Sequence, residues 1–165
     1  MIEALILYIL YKEANTLYGV RKAIKERFLH INSGTFGSIH PAVARLIKKG
    51  FLQEEKTISK GGRRKNIYSI TKTGQNYLVE ILKADFSAQM NNLEKQISTK
   101  LACCDILGEQ DKKDFYKKVI RYYEHKVLIF SKMLANKDYN DLQKGQIKIF
   151  IKGFEAEIEL LKNLL

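Results

Sequence analysis

One stretch limits the fold of this chain more than any other. Residues 51–71, FLQEEKTISKGGRRKNIYSIT, hold two strand-type runs, Phe51–Ile58 and Asn66–Thr71, on either side of SKGGRRK. The adjacent Gly61 and Gly62 supply the positive φ values that hairpin turns require. The rest of the sequence follows a helical period, so a single hairpin has to be accommodated among helices.

Three helical stripes precede it. Ile2, Leu5, Ile6, Ile9 and Leu10 predict a helix over Ile2–Lys12. After a polar break at Glu13–Asn15, Thr16 is a suitable N-cap, because its hydroxyl can accept from an orphan amide of the next helix. That second helix carries Leu17, Val20, Ile24 and Phe28 on one face and Arg21, Lys22 and Lys25 on the other, and HINSG (30–34) ends it. In the third, Ile39, Val43, Leu46 and Ile47 form the inward stripe, and Gly50 is placed to stop the helix in a left-handed conformation. Pro41 is expected in the first turn, where its missing N–H has no intrahelical partner to lose, so the helix should start near Gly37 or Ser38. Its outward side then presents Ser38, Pro41, Arg45 and Lys48, with His40 beside them.

Beyond the hairpin, Thr71 can cap a fourth helix through Tyr77, Leu78, Ile81 and Leu82. Longer stripes follow: Phe86, Met90, Leu93, Ile97 and Leu101, then Phe115, Val119, Tyr123, Phe130 and Leu134, then Ile147, Phe150, Phe154, Ile158, Leu161 and Leu165. Breaks at Gly108–Asp111 and Asn136–Asn140 separate them. No glycine-rich or proline-rich linker intervenes, and Pro41 is the only proline. The expectation is a mainly α protein in two parts. Residues 1–78 form a winged helix-turn-helix, with three helices and a two-stranded wing, and residues 79–165 form a long-helix extension joined rigidly to it. With 45% hydrophobic residues, there is ample material for a core. No uncharged apolar run reaches the length of a membrane span, and the N-terminus lacks a basic leader and a cleavage site. A cytoplasmic protein without a membrane partner is expected.

Charge separates the two parts. Fourteen lysines and arginines stand against five acids before residue 79, a net of +9 within the chain's total of +11. Such segregation suggests a polyanionic partner for the first part. An α-helix fits the major groove of DNA, where base edges show distinct donor and acceptor patterns. The third helix has small polar groups at its tip (Ser33, Thr35, Ser38 and His40) and cations further on (Arg45 and Lys48). The wing tip adds Lys60, Arg63, Arg64 and Lys65, which can neutralise phosphates and make binding strongly salt-dependent. Two simpler readings stand beside this one: a solvated helix face for Arg45 and Lys48, and a pairing of Arg63 or Arg64 with Glu54 or Glu55 on the facing strand.

Other chemistry finds little support. Cys103 and Cys104 are adjacent, without a CxxC spacing or a histidine partner, and read as small buried hydrophobes, with a redox or arsenic sensor as the alternative. His30, His40 and His125 are scattered. No nucleophile triad, phosphate-binding glycine loop or carboxylate pair stands out, so neither an enzyme nor a metal site nor a cofactor is expected.

LYGVRKAI, SGTFGSIHPAVARLIKKGFL and GGRRKNIYSITKTGQ, in this order and spacing, resemble the PadR-family transcriptional regulators over most of Leu5–Leu78. The family usually has tyrosine where this chain has His40, and commonly proline where it has Asn15 or Thr16. The resemblance implies that residues 79–165 are a helical dimerisation domain, in which the subunits of a homodimer exchange long helices. It also implies repression at a double-stranded DNA operator and release by a small aromatic or drug-like effector. Phe86, Tyr122, Tyr123 and Phe154 are candidate walls for an effector pocket, or ordinary core aromatics. The inverted-repeat operator follows from two symmetric readers. The competing functional class is a winged-helix protein-interaction module without specific DNA binding.

Overall fold

The computed structural model describes residues 1–58, 62, 64–86 and 93–165. The chain divides into two compact units, Met1–Leu107 and Gly108–Leu165.

The first unit is built around α1 (Ile2–Lys12), which buries Ala4 and Leu7 as well as Leu5, Ile6, Ile9 and Leu10 of the expected stripe, with Ile2 half-buried. A helix apolar on nearly every side has to be a central one, and α1 packs against α2 (Leu17–Arg27), α3 (Phe36–Lys48), the hairpin, α4 (Lys72–Lys83) and α5 (Leu93–Cys103). Thr16 caps α2 as expected, its hydroxyl accepting from the Gly19 amide at 3.0 Å. Val20 and Ile24 of α2 and Ile39, Ala42, Val43 and Leu46 of α3 close the core from the other side; Ile47 is half-buried.

Helix α3 begins earlier than the proline suggests. Phe36 is its first residue, so Pro41 lies in the second turn, where it withholds a hydrogen bond from the Gly37 carbonyl. Its other end follows the expectation: Gly50 adopts φ +72°, its amide reaches the Ile47 carbonyl, and the Phe51 amide reaches the Leu46 carbonyl, both at 2.9 Å. These two bonds are a Schellman stop, which turns the chain sharply into the hairpin.

Strands β1 (Leu52–Ile58) and β2 (Arg64–Ile70) pair antiparallel, with Ile58 opposite Arg64 and Leu52 opposite Ile70. Asn15, in the break between α1 and α2, adds a third rung by exchanging backbone hydrogen bonds with Tyr68 at 2.9 and 2.8 Å. The wing is thereby tied to the helices at its base. Thr71 then caps α4 by accepting from Gly74 at 3.0 Å, while its hydroxyl donates to the Gly50 carbonyl at 2.7 Å. The Phe51 and Tyr77 rings stack at 4.2 Å over this junction.

The stripe expected from Phe86 to Leu101 is helical only from Leu93 among the described residues; Phe86 itself lies outside α5, and Met90 lies outside the described residues. Cys104–Ile106 form a short 3-10 turn. Both cysteines are free and buried, and the Cys104 thiol donates to the Leu101 carbonyl.

The second unit is a helical hairpin of α6 (Glu109–Leu134) and α7 (Asp141–Lys162). Asn140 and Gln143 start α7 with a reciprocal capping box, each side chain bonded to the other's backbone amide at 2.9 Å. Val119, Ile120 and Tyr123 of α6 and Ile147, Ile158 and Leu161 of α7 are buried. No helix among the described residues is long and apolar enough to cross a membrane.

Candidate nucleic-acid interface

The turn between α2 and α3 fixes how α3 is presented. Asn32 Oδ1 accepts from the Gly34 amide at 3.0 Å, and Gly34 sits at φ +59° against Ile24, where a Cβ would fall 2.7 Å from Ile24 Cγ2. Phe28 and Ile31 anchor the turn in the core, leaving Ser33 and Thr35 exposed at its rim. Thr35 is the N-cap of α3 but caps no amide with its side chain. Its hydroxyl instead lies 3.1 Å from that of Ser38, which donates to the Thr35 carbonyl at 2.9 Å. The first turn therefore keeps amide donors available at the positive end of the helix dipole, a suitable arrangement for an anion.

Along α3 the exposed residues are Phe36, Gly37, His40, Pro41, Ala44, Arg45 and Lys48, with Ser38 half-exposed. Each position expected on the outward side is thus at the surface. Arg45 is not simply solvated: its Nε donates to Glu3 Oε1 at 2.8 Å. Arg21, on the cationic face of α2, is half-buried with its guanidinium 4.5 Å from the Phe36 ring centroid. Lys22 pairs loosely with Glu26 at 3.8 Å.

Some residues exposed on α2 and α3 are ones that the sequence pattern does not single out. Tyr18, at the start of α2, is 65% exposed, and Phe36 and Ala44 lie among the polar positions of α3. Ala44 carries a positional signal, since it follows His40 by four and Pro41 by three. Tyr18 and Phe36 carry none, because an aromatic residue at helical spacing ordinarily belongs to a core.

In the wing, Arg64 and Lys65 are exposed, and Gly62 has φ +76°; Lys60, Arg63 and Gly61 lie outside the described residues. Glu54 is already engaged, accepting from Asn66 Nδ2 at 2.6 Å and from the Tyr68 hydroxyl at 2.9 Å. Burial and then that hydrogen bond push the Tyr68 pKa upward. Glu54 is therefore spoken for by residues other than Arg64, whose side chain rims a cleft of ≈ 400 Å³ with Lys56, Thr57, Ile58 and Asn66. A guanidinium and an ammonium flanking an open cleft favour an anionic occupant.

Of the four aromatics proposed for an effector, three come together. Tyr123 stacks on Phe154 with centroids 5.4 Å apart and lies 5.5 Å from Tyr122, while Phe130 and Phe150 extend the cluster. Phe86 belongs to the first unit, where the Lys100 ammonium is 5.4 Å from its ring centroid. Tyr123 is buried and helps to hold α6 on α7.

Three helices, the third ended by a Schellman stop, and a basic hairpin define a winged helix-turn-helix of the DNA-binding kind. More narrowly, residues 6–80 are a domain of the transcriptional regulator PadR-like family. None of the curated proteins matches the chain. Among solved structures, PadR of Bacillus subtilis in complex with operator DNA shares the fold at a TM-score of 0.50 and 17% identity, over 98% of this chain and 95% of that one. The smu.1604c protein of Streptococcus mutans UA159 aligns at 25% identity and a TM-score of 0.46, over 98% and 96% of the two chains. Bacillus subtilis PadR in complex with p-coumaric acid aligns at 17% identity and a TM-score of 0.44, over 98% and 95%.

Proposed function

We propose that this protein is a homodimeric transcriptional repressor that reads an inverted-repeat operator. Residues 1–78 make the DNA contacts and residues 79–165 hold the two subunits together. The observation carrying this reading is the exposed face of α3. Uncapped amides, Ser38 and His40 lie at its tip and Lys48 at its far end, with the Arg64–Lys65 wing on the same small domain. Helix α3 reads base edges, and the wing and the start of α3 hold phosphates. The fold shared with a protein solved on operator DNA supports this assignment. The protein turns over no substrate. A small aromatic or drug-like molecule lowers the affinity for the operator, for which the Tyr122–Tyr123–Phe154 cluster offers stacking surfaces.

Gel shifts and fluorescence anisotropy on the promoter adjoining its own gene test this reading. A sequence-preferring complex at moderate salt, with two protein chains per site, is the expected result. Equal affinity for unrelated duplexes would overturn it in favour of a protein-interaction module. A screen of aromatic acids and cationic dyes against the protein–operator complex tests the effector, and release by at least one class is expected.

A further inference from the structure

Helix α7 carries a second seam that the α6–α7 hairpin does not use. Ile147, Ile158 and Leu161 face α6 and are buried. Leu142, Gly145, Ile149, Gly153, Ala156 and Leu160 recur at steps of three and four, which places them together on another side of the helix. The large members of this row are open to solvent: Leu142 is 74% exposed, Ile149 71% and Leu160 56%. The small members include two glycines inside a helix, the least favourable ordinary residue there. A Cβ at Gly145 or at Gly153 would meet nothing within 4 Å, so packing within the chain does not call for either glycine.

Charge along the flank of this row is ordered as well. Lys148 and Lys152 lie in the first half of α7, and Glu155 and Glu159 in the second. None of the four has an ion-pair partner among the described residues.

We infer that this seam is where α7 meets α7 of a second copy, antiparallel, with the two-fold axis at Gly153. The inference rests on the homodimer reading and gives it a specific surface. Turning the row end for end about Gly153 places Gly145 opposite Leu160 and Ile149 opposite Ala156 to within one residue, so Ile149 and Leu160 each face a small side chain, while Leu142 lies beyond them at the far end of the partner helix. Gly153 faces itself, which lets the two backbones approach at the crossing. The same operation brings Lys148 opposite Glu159 and Lys152 opposite Glu155, so the flanking charges are complementary between identical chains. A parallel pairing loses both features: glycine would face glycine twice, leucine would face leucine, and lysine would face lysine.

Cysteine cross-linking separates the alternatives. In the antiparallel seam, Gly153→Cys gives a disulfide-linked dimer under mild oxidation, read on a non-reducing gel. Ile149→Cys gives none, because position 149 faces Ala156, about 10 Å along the helix from its own counterpart, beyond disulfide reach. Cross-linking at both positions would establish the parallel arrangement and overturn the proposal. Charge reversal supplies a second readout. Lys148→Glu with Lys152→Glu is expected to raise the dimer dissociation constant about tenfold in analytical ultracentrifugation. Adding Glu155→Lys and Glu159→Lys is expected to restore it. If the unaltered protein is a dimer by light scattering but neither the cross-link nor the charge rescue appears, the seam is wrong and the homodimer stands. If the unaltered protein is a monomer, both fail.

Discussion

The Nε of Arg45 donates to Oε1 of Glu3 at 2.8 Å, joining the outward flank of α3 to the first turn of α1. The bond uses the inner nitrogen of the guanidinium and leaves its two terminal amino groups for other acceptors. A side chain held this way loses less freedom when those groups meet a bidentate acceptor such as guanine or phosphate. The Arg45 side chain is 54% exposed, so the pair adds little to folding. Arg45→Ala is expected to weaken operator binding about tenfold, within the range of one good base contact, while shifting the urea midpoint only slightly. Anisotropy titrations and urea melts on the same variant check both parts. An unchanged operator affinity would remove Arg45 from the interface.

The wing is expected to contribute differently, through charge rather than base recognition. Arg64 and Lys65 are exposed, and Glu54 on the facing strand is occupied by Asn66 and Tyr68. Replacing both cations by alanine is expected to weaken specific and nonspecific duplexes alike. The slope of log K against log salt should fall by about 0.9 for each phosphate no longer neutralised. Titrations at a series of salt concentrations measure this, and a slope equal to that of the unaltered protein would place the wing off the DNA.

The junction between α3 and α4 offers a way to disturb α3 from within. Thr71 caps α4 and also donates to the Gly50 carbonyl, and Gly74 lies so close to Phe51 that a Cβ would collide with its carbonyl oxygen. Thr71→Ala is expected to cost about 2 kcal/mol, combining the cap and the hydrogen bond that the hydroxyl provides. Gly74→Ala should cost more, since backbone has to move to make room. Gly50→Ala has open space but keeps φ +72°, so about 1 kcal/mol of left-handed strain is expected. Urea denaturation of the three variants tests this order.

Much of this architecture is legible in the residues because local rules agree with one another. Thr16, Gly50, Thr71 and Asn140 each mark a helix boundary through chemistry that acts within a few positions, and the structure places the boundaries there. Pro41 is misleading about the start of α3, because a proline is tolerated in the second turn when the carbonyl it leaves unpaired, that of Gly37, belongs to an exposed residue. The Asn15–Tyr68 rung and the Arg45–Glu3 pair are illegible for another reason. Each joins positions more than forty residues apart, and no periodicity in one segment encodes its partner in another. Arg21 on Phe36 belongs to the same class, a meeting of side chains from two different helices.

The paired cysteines allow a last test, of inertness against redox sensing. Cys103 is fully buried, and its thiol pKa is pushed up to about 12, first by burial and then by the neighbouring Asp105 carboxylate. The thiolate, the reactive form, is therefore scarce in the folded protein at neutral pH. In the unfolded chain the thiol returns to its ordinary value near 9. Between these two values the folded state binds more protons than the unfolded one, so this group's contribution to stability is full below pH 9 and is lost as pH rises towards 12. Burial of Tyr8 and its hydrogen bond to Asp105 raise the phenol pKa, which adds to the same alkaline loss. Iodoacetamide labelling at about pH 8, followed by mass spectrometry, should modify Cys103 at least about 100-fold more slowly in native protein than in urea. Comparable rates in the two conditions would show an accessible, activated thiol and revive the sensor reading. A urea midpoint that stays level from about pH 8 to about pH 11 would contradict the raised pKa values themselves.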